Sequence, residues 1–313
     1  MPVSKVQLFA YEVDTHNPNR INAILRRTGA EPDEMSEERY FHLQANLQRD
    51  LIKAGVLPLV EDGTLPVFMA PEFFFKWRDG LPYSRETFFN AMPYLESLSA
   101  AFGPVLWVVG TVWWQERQDA THARVHNSVL IFQHGRLLHS WQKERLSGID
   151  GLNQGPEIWD RHDLESQRIL DRTQTPFFDA AVPGGGTVHC GIEVCLDHLS
   201  LKDPFRPGVL RTAYLAAHPD PTEGAGVDLH LMVAAGMGAQ LENIVAKSGG
   251  AYFRCDGGEG ADPRSNSVAV TREGPTPPAA LRLWDADGLM GKPYPLGTDT
   301  DERLVIYPAI GIV

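Results

Sequence analysis

The chain has 313 residues, 43% of them hydrophobic, enough for one large α/β domain or two ordinary ones with a substantial core. A formal charge of −12, from 28 Lys and Arg against 40 Asp and Glu, argues against nucleic acid or anionic lipid as a main partner. No apolar run approaches the ~20 residues of a membrane helix, the N-terminus lacks the apolar stretch of a secretory signal, and three cysteines are too few for a disulfide framework. A cytoplasmic protein is expected.

Val3–Glu12 reads as the first strand, followed by a polar loop rich in Asn and Pro. Ser36 caps a helix from Arg39 to Ala54 that Gly55 stops. Leu65–Ala70 is a buried strand, and a helix runs from its cap Ser84 to Phe102, with Gly103-Pro104 as the stop. Val105–Trp114 is a continuous apolar run of the kind found inside a sheet. His126–Gln133 and Arg136–Gln142 form a hairpin about His134-Gly135. Residues 144–176 are polar and irregular, too long for a simple connection, and are expected to form a functional loop or lid.

Pro183-Gly184-Gly185-Gly186 turns into the strand Thr187–Val194. A helix over Pro204–Ala217, a strand over Leu229–Ala235, a helix over Gln240–Ser248 and a strand over Ala251–Cys255 complete the pattern. Strands and helices alternate, but hairpins interrupt the strict βαβ order. The expected fold is therefore α/β with two packed mixed sheets covered by helices. It divides into one domain over residues 1–275 and a tail over 276–313 that packs on the surface or on a partner subunit.

Three strands end in reactive side chains: Leu65–Pro71 delivers Glu72, Arg136–Gln142 delivers Lys143, and Thr187–Val194 delivers Cys195. A thiol near pKa 8.5 is a poor nucleophile at neutral pH until a base takes its proton or a cation stabilises its thiolate. Glu72 suits the first task. Lys143 suits the second and can also steady an oxyanion, together with the N–H of Leu196. The set fits attack on a carbonyl or nitrile carbon, a thioester intermediate and its hydrolysis by water.

These blocks, Ala70-Pro71-Glu72-Phe73-Phe74, Asn127-Ser128 through Gly135 to Lys143, and Gly191-Ile192-Glu193-Val194-Cys195-Leu196-Asp197, resemble the nitrilase superfamily of carbon–nitrogen hydrolases. The likeness runs from about Lys5 to about Gly274. It implies an αββα sandwich that pairs sheets across a homodimer or larger homo-oligomer, and a metal-free, cofactor-free mechanism on a small molecule. Glu72 would be the general base, Lys143 the oxyanion cation and Cys195 the nucleophile. Members carry a second active-site glutamate several residues past the lysine. Residues 147–156 contain none, so Glu157 and Glu193 compete for that role. Glu193 lies two residues before Cys195, on the same face if the strand continues. Cys-Leu-Asp is nearer the Cys-x-Asp of amidases and carbamoyl-amine hydrolases than the Cys-Trp-Glu of true nitrilases. An amide or ureido substrate is favoured over a nitrile, the alternative being a nitrilase, and in another class a non-catalytic binding or scaffold protein.

His198 follows the nucleophile closely enough to touch substrate, and Phe73 is a candidate pocket wall. Cys190 and Cys255 read as core. The histidines, among them His189, His218 and His230, lack metal-ligand spacing, so no metal is expected. Gly236-Met237-Gly238 lacks the third glycine of a dinucleotide fingerprint and reads as a tight turn.

Overall fold

The computed structural model describes residues 4–117, 123–146, 150, 158–159, 175–202, 205–222, 224–257, 267–271, 292–294 and 302–312. The strand Ser4–Val13 shows why two sheets pack face to face. Its even residues Val6, Leu8 and Ala10 join an inter-sheet core, while Phe9, Tyr11 and Val13 point to the opposite side, against helices. Burial on both faces of a strand requires layers on both sides of the sheet.

The first sheet runs in the order Lys292–Tyr294, Glu302–Ile306, Ser4–Val13, Thr64–Met69, Leu106–Arg117, Ala123–Gln133, Arg136–Gln142. Ser4–Val13, Thr64–Met69 and Leu106–Arg117 are mutually parallel, and the hairpin strands that follow are antiparallel. The second sheet runs Val268–Thr271, Ala246–Asp256, Val227–Ala234, Thr187–Val194, Phe177–Ala181, with a parallel centre and antiparallel edges. Val67, Met69, Val108 and Ile131 of the first sheet meet Ile192, Val194, Leu231 and Phe253 of the second. The helices Pro18–Arg27, Glu37–Leu51, Arg85–Asn90 and Met92–Ala100 lie with the first sheet's outer face. Val209–Ala217 packs on the second. The layering is the expected αββα sandwich of two mixed sheets. Among the described residues no helix is long and apolar enough to cross a membrane.

Cys190 and Cys255 sit in the inter-sheet core. Described residues past 275 enter the first sheet, because Glu302–Ile306 and Ile310–Ile312 both pair antiparallel with Ser4–Val13. Ser36 and Ser84 accept hydrogen bonds from the N–H groups of Arg39 and Thr87, as N-caps do.

Three local expectations fail for identifiable reasons. Pro18–Arg27 is a helix, not loop, capped by Asn17, and buries Ile21, Ile24 and Leu25. The long helix from Ser84 divides at Ala91, because Pro93 can neither donate to a carbonyl one turn back nor fit against it. The helix over Gln240–Ser248 shrinks to a single 3-10 turn, Leu241–Asn243, and a strand begins at Ala246. There the Val245 N–H donates to the His230 ring and the Gln240 N–H to the His198 ring. The Val245 N–H, which a helix would aim at the Leu241 carbonyl, is thereby taken by a side chain from elsewhere.

The register of Leu106–Arg117 slips between Val108 and Thr111, with Gly110 at φ +85°. A Cβ on Gly110 would lie 2.3 Å from the Pro71 carbonyl oxygen. The bulge therefore lets the Pro71-Glu72 backbone press against this strand, and only glycine permits both the angle and the approach. Gly110→Ala is expected to destabilise the protein by about 2 kcal/mol or more, read by urea denaturation. Wild-type stability would contradict this account of the bulge.

Candidate active site

Glu72, Lys143 and Cys195 each stand just beyond a strand, where the chain must turn. Past Thr64–Met69, the Glu72 N–H donates to the Ala234 carbonyl of the other sheet at 3.3 Å. The Phe73 N–H donates to Thr111 Oγ1 at 2.7 Å, which pins Phe73 at φ +59°. Lys143 follows Arg136–Gln142, and its N–H donates to the Asn127 carbonyl at 2.9 Å. Cys195 follows Thr187–Val194 at φ +45° and opens the 3-10 turn Cys195–His198. A left-handed backbone at a non-glycine residue costs of order 1–2 kcal/mol and persists only where surrounding contacts impose it.

The side chains converge in a buried polar centre. Lys143 Nζ donates to Glu72 Oε1 at 2.8 Å and to Asp150 Oδ2 at 2.8 Å. Asn127 Nδ2 donates to Glu72 Oε1 at 2.8 Å and to Asp150 Oδ1 at 2.8 Å. Both acceptors are carboxylates, so the amide must turn its NH₂ toward them. All four residues are buried. Lys143 spends two of its three N–H bonds here and keeps one for the pocket. Among the described residues, Glu72 Oε2 takes no N–H or O–H donor.

The Cys195 thiol lies close enough to Glu72 and to the Ala235 backbone N–H for both to act on its titration. Burial raises the Cys195 thiol far above its usual range, and the Glu72 charge adds to this against the pull of Lys143. Burial also raises Glu72, reinforced by Asp150 and opposed by Lys143. Burial alone would lower Lys143, but Glu72 and Asp150 outweigh it and hold the ammonium above its ordinary range. The thiol is held toward its neutral form, beside a carboxyl that burial makes a better proton acceptor than an exposed one.

Phe73, Trp113, Val125 and Ala235 form an apolar cluster beside this centre, with the Phe73 ring 5.7 Å from Lys143 Nζ. Phe73 thus stands beside the buried polar centre. Leu196 follows Cys195 in the turn, which puts its N–H next to the thiol. Asp197 is buried and accepts the N–H groups of Glu144 at 3.1 Å and Arg145 at 2.8 Å, tying the turn after Cys195 to the turn after Lys143.

Glu193 lies elsewhere. Ile192 and Val194 face the inter-sheet core, so Glu193 points to the outer face, where it pairs with His198 and His230. The same-face argument with Cys195 fails because the strand ends at Val194 and the left-handed Cys195 backbone redirects the thiol. His198 is fully buried and has both ring nitrogens engaged, one on Glu193 and one on the Gln240 N–H at 2.9 Å. Glu157 lies outside the described residues, as does most of the expected lid over 144–176.

Glu193, His198 and His230 are close enough together to suggest a metal site. The backbone argues otherwise. His198 Nε2 accepts from the Gln240 N–H and His230 Nδ1 accepts from the Val245 N–H at 3.1 Å. Each ring must therefore carry its proton on the nitrogen that faces Glu193, and both N–H groups donate to Glu193 Oε1. A metal there would need those nitrogens bare and the protons moved to positions already facing N–H donors. The trio is a hydrogen-bonded brace. Burial would raise the Glu193 carboxyl, but His198 and His230 outweigh it and hold it down at about 2.

The centre contains two residues that the sequence reading did not place in it. Asn127 belongs to a block that carries the resemblance, but nothing in the pattern points its amide at two carboxylates. Asp150 lies seven residues past Lys143, in the stretch searched for a glutamate. Allowing either acid in that stretch would have found it.

No family model matches the chain, and no curated protein matches it. Among solved structures it is similar to a mutant amidase from Nesterenkonia sp. AN1 with the acetamide moiety of fluoroacetamide added covalently at the active-site cysteine. The identity is 14%, over 97% of this chain and 90% of that one, with a TM-score of 0.45. Another structure of that amidase, described as from the nitrilase superfamily, gives 15% identity, 97% and 90% coverage and a TM-score of 0.44. A third, in complex with butyramide, gives 15% identity, 97% and 91% coverage and a TM-score of 0.43.

The Glu193 brace generates a stability prediction. Glu193→Ala leaves two buried imidazole N–H groups without an acceptor and is expected to cost about 3 kcal/mol or more in urea denaturation, whereas Glu193→Gln keeps an acceptor oxygen and costs less. Because the folded-state carboxyl is depressed, its contribution is present above the unfolded value near 4.5 and is lost as pH falls toward about 2. His230, lowered by burial against the pull of Glu193, adds a loss of stability below about pH 6.5. Glu193→Gln is expected to flatten the acid limb below about pH 4.5, and an unchanged limb would refute the assignment.

Proposed function

We propose that the protein is a carbon–nitrogen hydrolase of the nitrilase superfamily, which cleaves an amide or N-carbamoyl bond through a Cys195 thioester. The observation that carries this reading is the convergence of three strand ends on one buried centre. Lys143 Nζ lies 2.8 Å from Glu72 Oε1, and the Cys195 thiol stands near enough to the same Glu72 for each to shift the other's titration. The ordered sequence blocks around these residues support the same reading.

Glu72 takes the thiol proton as sulfur attacks the carbonyl carbon. The oxyanion is met by the remaining Lys143 N–H and by the Leu196 N–H. The C–N bond breaks, Glu72 returns its proton to the leaving amine or ammonia, and the acyl group stays on sulfur. Glu72 then takes a proton from water, which attacks the thioester, releases the acid and restores the thiol. Asp150 and Asn127 act through the others: Asp150 keeps Lys143 charged and oriented, and Asn127 holds the two carboxylates apart in a fixed geometry.

A scaffold protein would gain nothing from burying an ammonium with two carboxylates beside a thiol on a left-handed backbone, since that assembly costs stability. The three free thiols suit a reducing compartment such as the cytoplasm, and the sandwich suits assembly as a homodimer.

Incubation of the wild type with amides, N-carbamoyl compounds and nitriles is expected to release nitrogen from one of the first two classes, and intact mass should show an acyl adduct. Cys195→Ala should show neither. Turnover that survives Cys195→Ala would sink the mechanism. Asp150→Asn keeps an acceptor for Lys143 but removes the charge, and is expected to lower kcat about 10–100-fold with little change in KM.

A further inference from the structure

Lys76 differs from the other cation of the site. Lys143 is held by two carboxylates, whereas among the described residues Lys76 Nζ has neither a hydrogen bond nor an ion pair. It is partly buried and stands 3.9 Å from the centre of the Phe73 ring and 5.6 Å from that of Trp113. Aromatic faces return only part of the hydration that a buried ammonium gives up.

Trp113 has the same deficit. Its side chain is 3% exposed, and Nε1 is buried with no acceptor among the described residues. An indole N–H can only donate, and a buried one normally finds a partner. Both residues pack on Phe73, Trp113 edge-on at 6.2 Å and Lys76 over the face. Phe73 adjoins Glu72 in the chain and is pinned by Thr111. Two unmet donors thus share a ring with the reacting centre.

The carboxylates of the centre do not need them. Glu72 and Asp150 are already met by Lys143 and Asn127, each at 2.8 Å. Burial lowers Lys76 to about 8 against the pull of Glu72, Asp150 and Asp14, with Lys143 adding to the lowering, so it is charged at neutral pH. A cation beside a donor-only N–H, both desolvated, matches a group that accepts only and carries negative charge.

We infer that Lys76 Nζ and Trp113 Nε1 form an anion subsite beside the Glu72–Lys143–Cys195 centre, and that the substrate is an amide bearing a carboxylate on its acyl chain. The inference rests on the hydrolase reading above and narrows it to half-amides of dicarboxylic acids and their close analogues.

The test separates binding from turnover. Calorimetry on Cys195→Ala protein compares succinamate and glutaramate with butyramide and pentanamide, their neutral counterparts. The better half-amide is expected to bind at least about tenfold tighter than its counterpart. Adding Lys76→Met should cost it about 10–100-fold while moving the neutral amide less than about threefold. Trp113→Phe keeps the ring but loses the donor, and should cost about 3–10-fold with the same selectivity. Lys76→Arg should retain the preference. Equal affinity for charged and neutral amides, or equal loss of both in Lys76→Met with circular dichroism unchanged, overturns the inference. If Lys76→Met does not fold, Lys76→Gln serves in its place. Nitrogen release by the wild type is measured in parallel. Lys76-dependent half-amide binding with no turnover of any amide upholds the subsite and removes the hydrolase reading. Turnover of neutral amides without a carboxylate preference does the reverse.

Discussion

Two carboxylates, Glu72 and Asp150, are buried against one another and share the ammonium of Lys143 at 2.8 Å each. Without that cation, like charges in a dry centre would force one acid to bind a proton. With it, the pull of Lys143 opposes the rise that burial and Asp150 impose on Glu72. A buried ion pair of this kind adds little net stability and is costly to break. The surrounding structure is therefore occupied with keeping the three charges in register.

The backbone supplies that register in unusual ways. Phe73 and Cys195 both adopt left-handed φ values, and Gly110 allows the bulge on which the Pro71-Glu72 segment rests. Strain at Phe73 and Cys195, where the chain leaves two strands, is tolerated because hydrogen bonds within and between the sheets over-determine it. Glu72 hangs on Ala234, Phe73 on Thr111, and the turns after Lys143 and Cys195 on Asp197. Two residues before Cys195, Glu193 joins His198 and His230 and through them the backbone at Gln240 and Val245. The residue that looked like a pocket acid is a brace, and its partner histidines are spent on the same task.

Much of this was legible from local pattern. Apolar runs and period-two alternation locate the central strands, and the caps at Ser36 and Ser84 work as their residue types suggest. Misreadings arose where a distant group overrides local preference. The Gln240–Ser248 helix loses the Val245 N–H to the His230 ring, and parity across Val194-Cys195 is broken by a backbone angle that no periodicity records. The helix Pro18–Arg27 was legible but overlooked: Ile21, Ile24 and Leu25 have helical spacing behind an Asn cap.

Sequence alone determined the two-sheet α/β class and the three strand ends that carry Glu72, Lys143 and Cys195, because both depend on hydrophobic periodicity and on the few side chains able to do thiol chemistry. Tertiary structure alone decided which further residues complete the centre. Asp150 and Asn127 enter it, and Glu193 and His198 turn away from it, because those outcomes depend on which face a strand presents and on which donors reach an acceptor across the fold. The unpaired Lys76 ammonium and Trp113 N–H belong to the same category. That they lack a hydrogen-bond partner among the described residues is a fact of the fold and not of any local pattern.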